Sequence, residues 1–207
     1  MVYKNFFLRL IFSIIFIFVY LICSIINLNY IFYLILIIYI LIVFEIFYYF
    51  KSYKLIPLIY VFISFIFFFN INFNKEYFTS FNLFILTVIT FDVFSYISGK
   101  FFGKKNLTKI SPNKTIEGLL GGIITSLFFS LYFAFILNLQ LNFNLIFFIV
   151  MIIISAFIGD IIESFFKRKN NLKNSSNLIP GHGGVFDRFD SFLFSIIFYT
   201  VYINSYL

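Results

Sequence analysis

Charge is scarce in this chain. Asp, Glu, Lys and Arg make up 11% of its 207 residues, against 62% hydrophobic residues. A soluble domain carries about 25% charged residues, so a soluble globular class is excluded. Cysteine is reduced to Cys23. No intrachain disulfide can form, and a lone thiol inside an apolar run reads as a packing group. Tryptophan is absent, and alanine occurs only at Ala134 and Ala156. The apolar load falls instead on 37 Phe and 15 Tyr together with Ile and Leu. Phe, Ile, Asn, Lys and Tyr share AT-rich codons, so drift in an AT-rich genome accounts for the bias. Residues that escape such drift carry information. All 9 glycines lie between Gly99 and Gly184, and Pro112 and Pro180 fall in the same region. The chemistry is expected in the second half.

Runs of about 18 or more apolar residues recur, each long enough to cross a bilayer as a helix. Hydropathy predicts seven spans, near 7–26, 30–50, 55–70, 81–99, 117–138, 143–166 and 190–206. The third is short. The first has no small-residue cleavage site after it, and a second span follows at once, so it reads as a retained span and not a signal peptide. The expected fold is an all-α, polytopic membrane bundle of one domain, 1–207. Residues 1–80 serve as scaffold, and 81–207 hold the catalytic spans and loops. If the N-terminus lies in the cytoplasm and the spans alternate, all 15 Lys and Arg except Lys75 fall on the cytoplasmic side. Such a bias sets orientation. The net charge of +7 then belongs to one face, where it attracts anionic headgroups or a polyanionic substrate. Nucleic acid is not expected as a partner, because no soluble surface remains to read a groove. Six acids, Asp92, Glu117, Asp160, Glu163, Asp187 and Asp190, gather on that same side, and Glu45 lies close. Carboxylates among so many cations at one depth point to a metal and phosphate site.

Three stretches carry this chemistry. In Ser111-Pro112-Asn113-Lys114-Thr115-Ile116-Glu117-Gly118, Ser111 is a good N-cap and Pro112 suits the next position. The free N–H groups of such a helix start, with Lys114 one turn in, would bind an anion. The same residues serve equally well to cap a membrane helix. In Asp160-x-x-Glu163-Ser164-x-x-Lys167-Arg168, the polar positions share one helical face. Snorkelling to the interface explains the run Lys167 to Lys169, but not Asp160, about two turns deeper, and acids inside a membrane are usually functional. The third stretch, Pro180 to Ser191, holds the only histidine. Gly181, Gly183 and Gly184 let the backbone turn tightly and approach a ligand. Asp187 and Asp190, three residues apart as the last helix begins, can face one point as hard oxygen ligands suited to Mg²⁺. His182 alone would read as structural; between glycines and beside an acidic pair it reads as a phosphate or proton-transfer contact.

Together these residues resemble the phosphatidate cytidylyltransferase (CDP-diacylglycerol synthase) family. The resemblance rests on Ser164-x-x-Lys167-Arg168, Lys173, Ile179-Pro180-Gly181-His182-Gly183-Gly184 and Asp187-Arg188-Phe189-Asp190. A second characteristic stretch is matched by Asp92-x-x-Ser95-Tyr96 with Gly99 and Gly103, then Ser111-Pro112-x-Lys114-Thr115-x-x-Gly118. The match covers about half the chain, Asp92 to Ser191; before it only hydropathy agrees, with Glu45 at the end of the second span. The resemblance implies Mg²⁺-dependent transfer of the cytidylyl group of CTP to phosphatidic acid at the cytoplasmic face of a bacterial inner membrane. It assigns Asp160, Asp187 and Asp190 to the metal, and Lys167, Arg168, His182, Asp187 and Asp190 to catalysis. Substrate binding falls to Asp92, Ser111, Lys114, Thr115, Ser164, Lys173, Gly183, Gly184 and Arg188. A monovalent cation beside Mg²⁺ and a homodimer are further expectations from the family alone.

The chain departs from the pattern in three ways. Asn174 stands where the family has Asp, which keeps shape but loses charge. Val93, Phe94 and Ser95 replace small residues after Asp92. The chain is also short by one or two spans before the fourth. Because Lys114, Asp160, His182, Asp187 and Asp190 remain, an active enzyme is expected. A rival reading keeps the reaction but uses a polyprenol or isoprenoid ether lipid, which the headgroup-binding charges do not distinguish. A transporter would need charges in both halves of the membrane and internal symmetry. The almost chargeless outer side and the lack of a repeat weigh against it.

Overall fold

In a computed structural model, the structure describes residues 15–71, 75–108, 110–111, 114–179 and 183–206. The described residues form seven helices: α1 (Ile15–Ile26), α2 (Asn29–Tyr49), α3 (Leu55–Phe69), α4 (Lys75–Phe102), α5 (Ile116–Ile136), α6 (Phe143–Lys169) and α7 (Phe186–Tyr206). The only β pairing among them is two isolated bridges, Asn106–Thr115 and Ile179–Gly183. The all-α membrane architecture read from hydropathy is therefore what the chain adopts. Four helices are long and apolar enough to cross a membrane: α2, α4 from Tyr77, α5 and α6. α3, with 15 residues, reaches only about 22 Å against a hydrocarbon core of about 30 Å. α7 has a spanning length, but Asp187, Arg188 and Asp190 open it and lower its hydropathy. α4 and α6 run past their predicted ends into Lys100 and Lys167–Lys169, because polar residues continue a helix beyond the hydrocarbon without cost to its hydrogen bonds.

Packing follows from residue size. Where α4 meets α5, glycines face serines: a Cβ at Gly118 would stand 2.8 Å from the Ser95 carbonyl oxygen, and one at Gly121 would overlap the Ser98 side chain. Small residues at such a contact let membrane helices approach closely. Buried hydroxyl pairs add polar contacts between helices, Thr87 with Ser130 at 2.8 Å (α4–α5) and Tyr39 with Ser64 at 2.6 Å (α2–α3). The core lies between α4, α6 and α7, where Phe81, Phe84, Phe148 and Phe192 surround Tyr199 or one another; the Phe84 and Tyr199 rings are 4.7 Å apart. With no Trp in the chain, Phe and Tyr supply the bulk. Phe47, Tyr48, Phe62, Phe128 and Phe135 stay exposed on the outer faces, as expected where lipid is the solvent.

One local expectation is corrected. Ser111 does not cap α5. The helix begins at Ile116, and Thr115 is its N-cap, accepting the Gly118 N–H at 3.1 Å. The preceding segment instead folds back on the end of α4: Leu107 N–H donates to the Lys114 carbonyl, Ile116 N–H to that of Lys105, and Lys114 N–H to that of Ser111. These bonds hold the backbone before Thr115 out of helical geometry, and Thr115 is left as the first hydroxyl able to close on the helix. Pro112 lies outside the described residues.

Candidate active site

The C-terminal ends of α4 and α6 and the starts of α5 and α7 meet at one end of the bundle. There they enclose a cavity of about 610 Å³. Of the residues singled out in the sequence, Asp92, Ser111, Lys114, Thr115, Asp160, Ser164, Lys167, Arg168, Lys173, Asp187, Arg188 and Asp190 all line it. Residues distant in sequence thus share one chamber. Phe91, Tyr96, Leu119 and Phe157 supply apolar wall, which gives the chamber a greasy side and a charged side. His182 lies outside the described residues, as do Pro180 and Gly181.

Two carboxylate groups are distinct within the chamber. In the first, Ser191 at the start of α7 is a meeting point: its Oγ lies 2.8 Å from Asp92 Oδ1 and 2.9 Å from Asp160 Oδ1. Asp190 stands beside Asp160 and Asp92. α4, α6 and α7 each contribute one acid. Gly159 permits this, because a Cβ there would come within 2.5 Å of the Asp190 carbonyl oxygen; α7 can approach α6 only over a residue without a side chain. The countercharge in direct contact is Lys114, whose ammonium is 2.5 Å from Asp160 Oδ2. Arg188 also acts on Asp92; three crowded acids against these two cations still leave negative charge in excess, and like charges this close are unfavourable unless a further cation joins them.

The second group is organised round Lys167, and its Glu163 also faces Asp190. Lys167 bridges Glu163 at 2.5 Å and Asp187 at 2.8 Å. Asp187 also accepts the Ser175 N–H on both oxygens, at 3.1 and 3.0 Å, and the Gly184 N–H at 2.9 Å. Gly183, at φ +88°, takes a left-handed conformation that other residues rarely adopt. Its carbonyl accepts the Ile179 N–H at 2.9 Å, and this closes the turn that aims Gly184 at Asp187. The single focus expected for Asp187 and Asp190 is thus divided. Asp190 turns toward Asp160 and Asp92, and Asp187 toward Lys167 and the loop.

The remaining cations ring the chamber. Arg168 is held by the carbonyls of Ile110 (3.3 Å, from Nε) and Leu172 (3.0 Å), which orients its guanidinium. Lys173 and Arg188 reach the wall from the loop and from α7, and Lys100 from the end of α4. Six basic side chains against four acids make the lining net cationic. Its chemistry suits a polyanion, since charge-assisted bonds from Lys and Arg are the strong ones for phosphate oxygens. The acids of the first group are hard oxygen donors of the sort Mg²⁺ takes. Among the described residues no three acid, His or Cys side chains already stand in coordinating geometry. Lys114 instead contacts Asp160 directly.

Sequence reasoning gave no role to several of these residues. Lys100 enters through the topology alone, although its position one turn past Tyr96 is a usable signal. Ser191 carries no signal beyond its place after Asp190, yet it joins two helices to a third. Ser175 gave no signal at all in a polar Asn-Ser-Ser-Asn run.

Fold and site together define an integral membrane protein with a cationic, carboxylate-bearing chamber at one end of its helices. The chain belongs to the cytidylyltransferase family, whose profile matches residues 7–206. It is 34% identical over 113 residues to a phosphatidate cytidylyltransferase of Helicobacter pylori, a match covering 55% of this chain and 42% of the relative. It is 39% identical over 106 residues to the enzyme of that name in Bacillus subtilis (50% and 39%), and 54% identical over 103 residues to that in Pseudomonas aeruginosa (48% and 38%). The matched stretch thus spans about two fifths of each of these relatives.

Proposed function

We propose that this chain transfers the cytidylyl group of CTP to phosphatidic acid, forming CDP-diacylglycerol and releasing pyrophosphate. The observation that carries this reading is the gathering of separate motif stretches, Asp92–Gly118 and Asp160–Asp190, into one chamber with a charged side and an apolar side. A nucleoside triphosphate and a lipid phosphate need those two sides together. In the reaction, a phosphate oxygen of the lipid forms a bond to the α-phosphorus of CTP, and the bond from that phosphorus to the bridging oxygen of the β-phosphate breaks. The attacking phosphate is already an anion, so no strong base is required.

The residues of the chain then act by neutralising and orienting charge, the main source of catalysis in transfers of this kind. Arg168, Lys173 and Arg188 grip phosphate oxygens, and Lys167, fixed between Glu163 and Asp187, presents an ammonium in a set place. Lys114 lies between Asp160 and the chamber and can turn from carboxylate to phosphate as substrate enters. Asp160 and Asp190, with Asp92 beside them, supply the hard oxygen donors that would hold Mg²⁺ once Lys114 turns away. Asp187 joins that set only by releasing one of its present donors. These residues would hold the ion, which when bound would supply positive charge to offset that building as pyrophosphate leaves.

On the distribution of Lys and Arg, we also place the chamber on the cytoplasmic side of a bacterial inner membrane with the N-terminus inside. On family resemblance alone, two copies associate in the bilayer, and a monovalent cation accompanies Mg²⁺. Labelled CTP supplied to the purified protein with phosphatidic acid vesicles and Mg²⁺ tests the reading. Labelled CDP-diacylglycerol should form, and Asp160→Asn should abolish it. Absence of product with phosphatidic acid but turnover with a polyprenyl phosphate would transfer the same chemistry to another lipid; absence of product with both would refute it.

A further inference from the structure

Glu45 stands on α2, outside both motif stretches, in the part of the chain read as scaffold. It is fully buried, with 0% exposure. A carboxylate is among the costliest groups to seal from water, and it persists only where donors hold it. No Lys or Arg forms an ion pair with it among the described residues. Its partners come from the loop that leads into α7. Glu45 Oε1 accepts the Ser175 hydroxyl at 3.0 Å, and Oε2 accepts the Phe186 N–H at 2.8 Å.

Both contacts lead to Asp187. Ser175 is shared between the two acids, giving its hydroxyl to Glu45 and its N–H to Asp187. Phe186 is the residue before Asp187. The fit is close, since a Cβ on Gly184, whose own N–H also serves Asp187, would overlap Glu45 Oε1 and Ser175 Oγ. The end of α2 is docked on the same region. The Phe50 and Phe186 rings are 6.2 Å apart, and the Ser52 N–H donates to Asn170 Oδ1 at 2.9 Å just after α6.

We propose that Glu45 is a positioning residue for the transfer site: through Ser175 and Phe186 it holds the flanks of the loop, 173–179 and 183–187, and so fixes Asp187 and its partner Lys167 against the chamber. Its importance to turnover rests on the reaction proposed above; the clamp itself does not. Amide hydrogen exchange and steady-state kinetics, run on the purified protein in lipid nanodiscs, test the two parts separately. Glu45→Ala should speed exchange of peptides covering 173–179 and 183–187 by about tenfold or more, and leave those in the middle of α4 and α5 unchanged. It should lower kcat by about tenfold or more with KM for CTP changed far less, because Asp187, which it positions, sets the Lys167 ammonium against the reacting phosphates. Glu45→Gln keeps one carbonyl acceptor and should recover part of both losses. Ser175→Ala keeps the N–H to Asp187 and should give a smaller change of the same kind, so a Glu45→Ala protein that fails to fold still leaves two informative variants. Unchanged exchange at the loop flanks, or a rise spread evenly over the bundle, would overturn the proposal. If wild type makes no product while the local exchange change is present, the reaction is wrong and the clamp stands.

Discussion

The two carboxylate groups of the chamber are built from the same kinds of side chain, yet they are neutralised differently. Asp187 and Glu163 share Lys167, and Asp187 takes two backbone N–H donors besides. Asp92 and Asp160 meet at one serine hydroxyl with Asp190 beside them, and Lys114 and Arg188 act on this group. A cluster tied to a shared cation and to backbone donors fixes geometry, whereas a cluster of more crowded acids is a place for a ligand. The comparison separates the part of the site that holds the loop and sets Lys167 from the part that meets the cation.

The largest effect is expected on the unbalanced side. Asp160→Asn or Asp190→Asn should lower kcat by about a thousandfold or more, with thermal stability unchanged or raised, because repulsion falls while the charge that holds Mg²⁺ is lost. A stability loss as large as that in the Lys167 cluster would erase the distinction. On that second side, Lys167→Met leaves Glu163 and Asp187 buried without their cation. Breaking such a pair costs about 3–5 kcal/mol, so the unfolding midpoint in detergent should fall steeply along with activity. Ser191→Ala should act more gently, lowering kcat by about tenfold and raising the Mg²⁺ concentration for half-maximal rate, since one hydrogen bond to a charged group is removed. The smallest change is expected at Asn174, which lines the chamber without an acid's charge. Asn174→Asp should leave CTP turnover equal or higher, and a severe loss would show that the site has been rebuilt around the amide.

The fold was legible because a bilayer imposes length and apolarity on every span: α2, α4, α5 and α6 stand where long Phe- and Ile-rich runs predict them. Boundaries were less legible. Charged residues at the ends of α4 and α6 continue the helix while hydropathy stops, and α7 starts at Phe186 because the Gly183–Gly184 turn delivers it, not because apolarity begins there. Membership of the chamber could be read for Asp92, Lys114, Asp160 and Lys167, since polar residues in so apolar a chain have few other uses. The division of labour among the acids could not. Asp187 and Asp190 are three residues apart on one helix, and only the loop N–H groups, Gly159 and Ser191 decide that they face different partners. Glu45 shows the same limit: one acid in an apolar helix signals a role, but its partners lie 130 and 141 residues away.

The division between the two groups is tested most directly by Mn²⁺ binding, followed by electron paramagnetic resonance on the purified protein with CTP present. The account predicts a tight site in the wild type, lost in Asp160→Asn and in Asp190→Asn, and retained with weaker affinity in Asp187→Asn. Equal loss in all three variants, or equal retention, would contradict it.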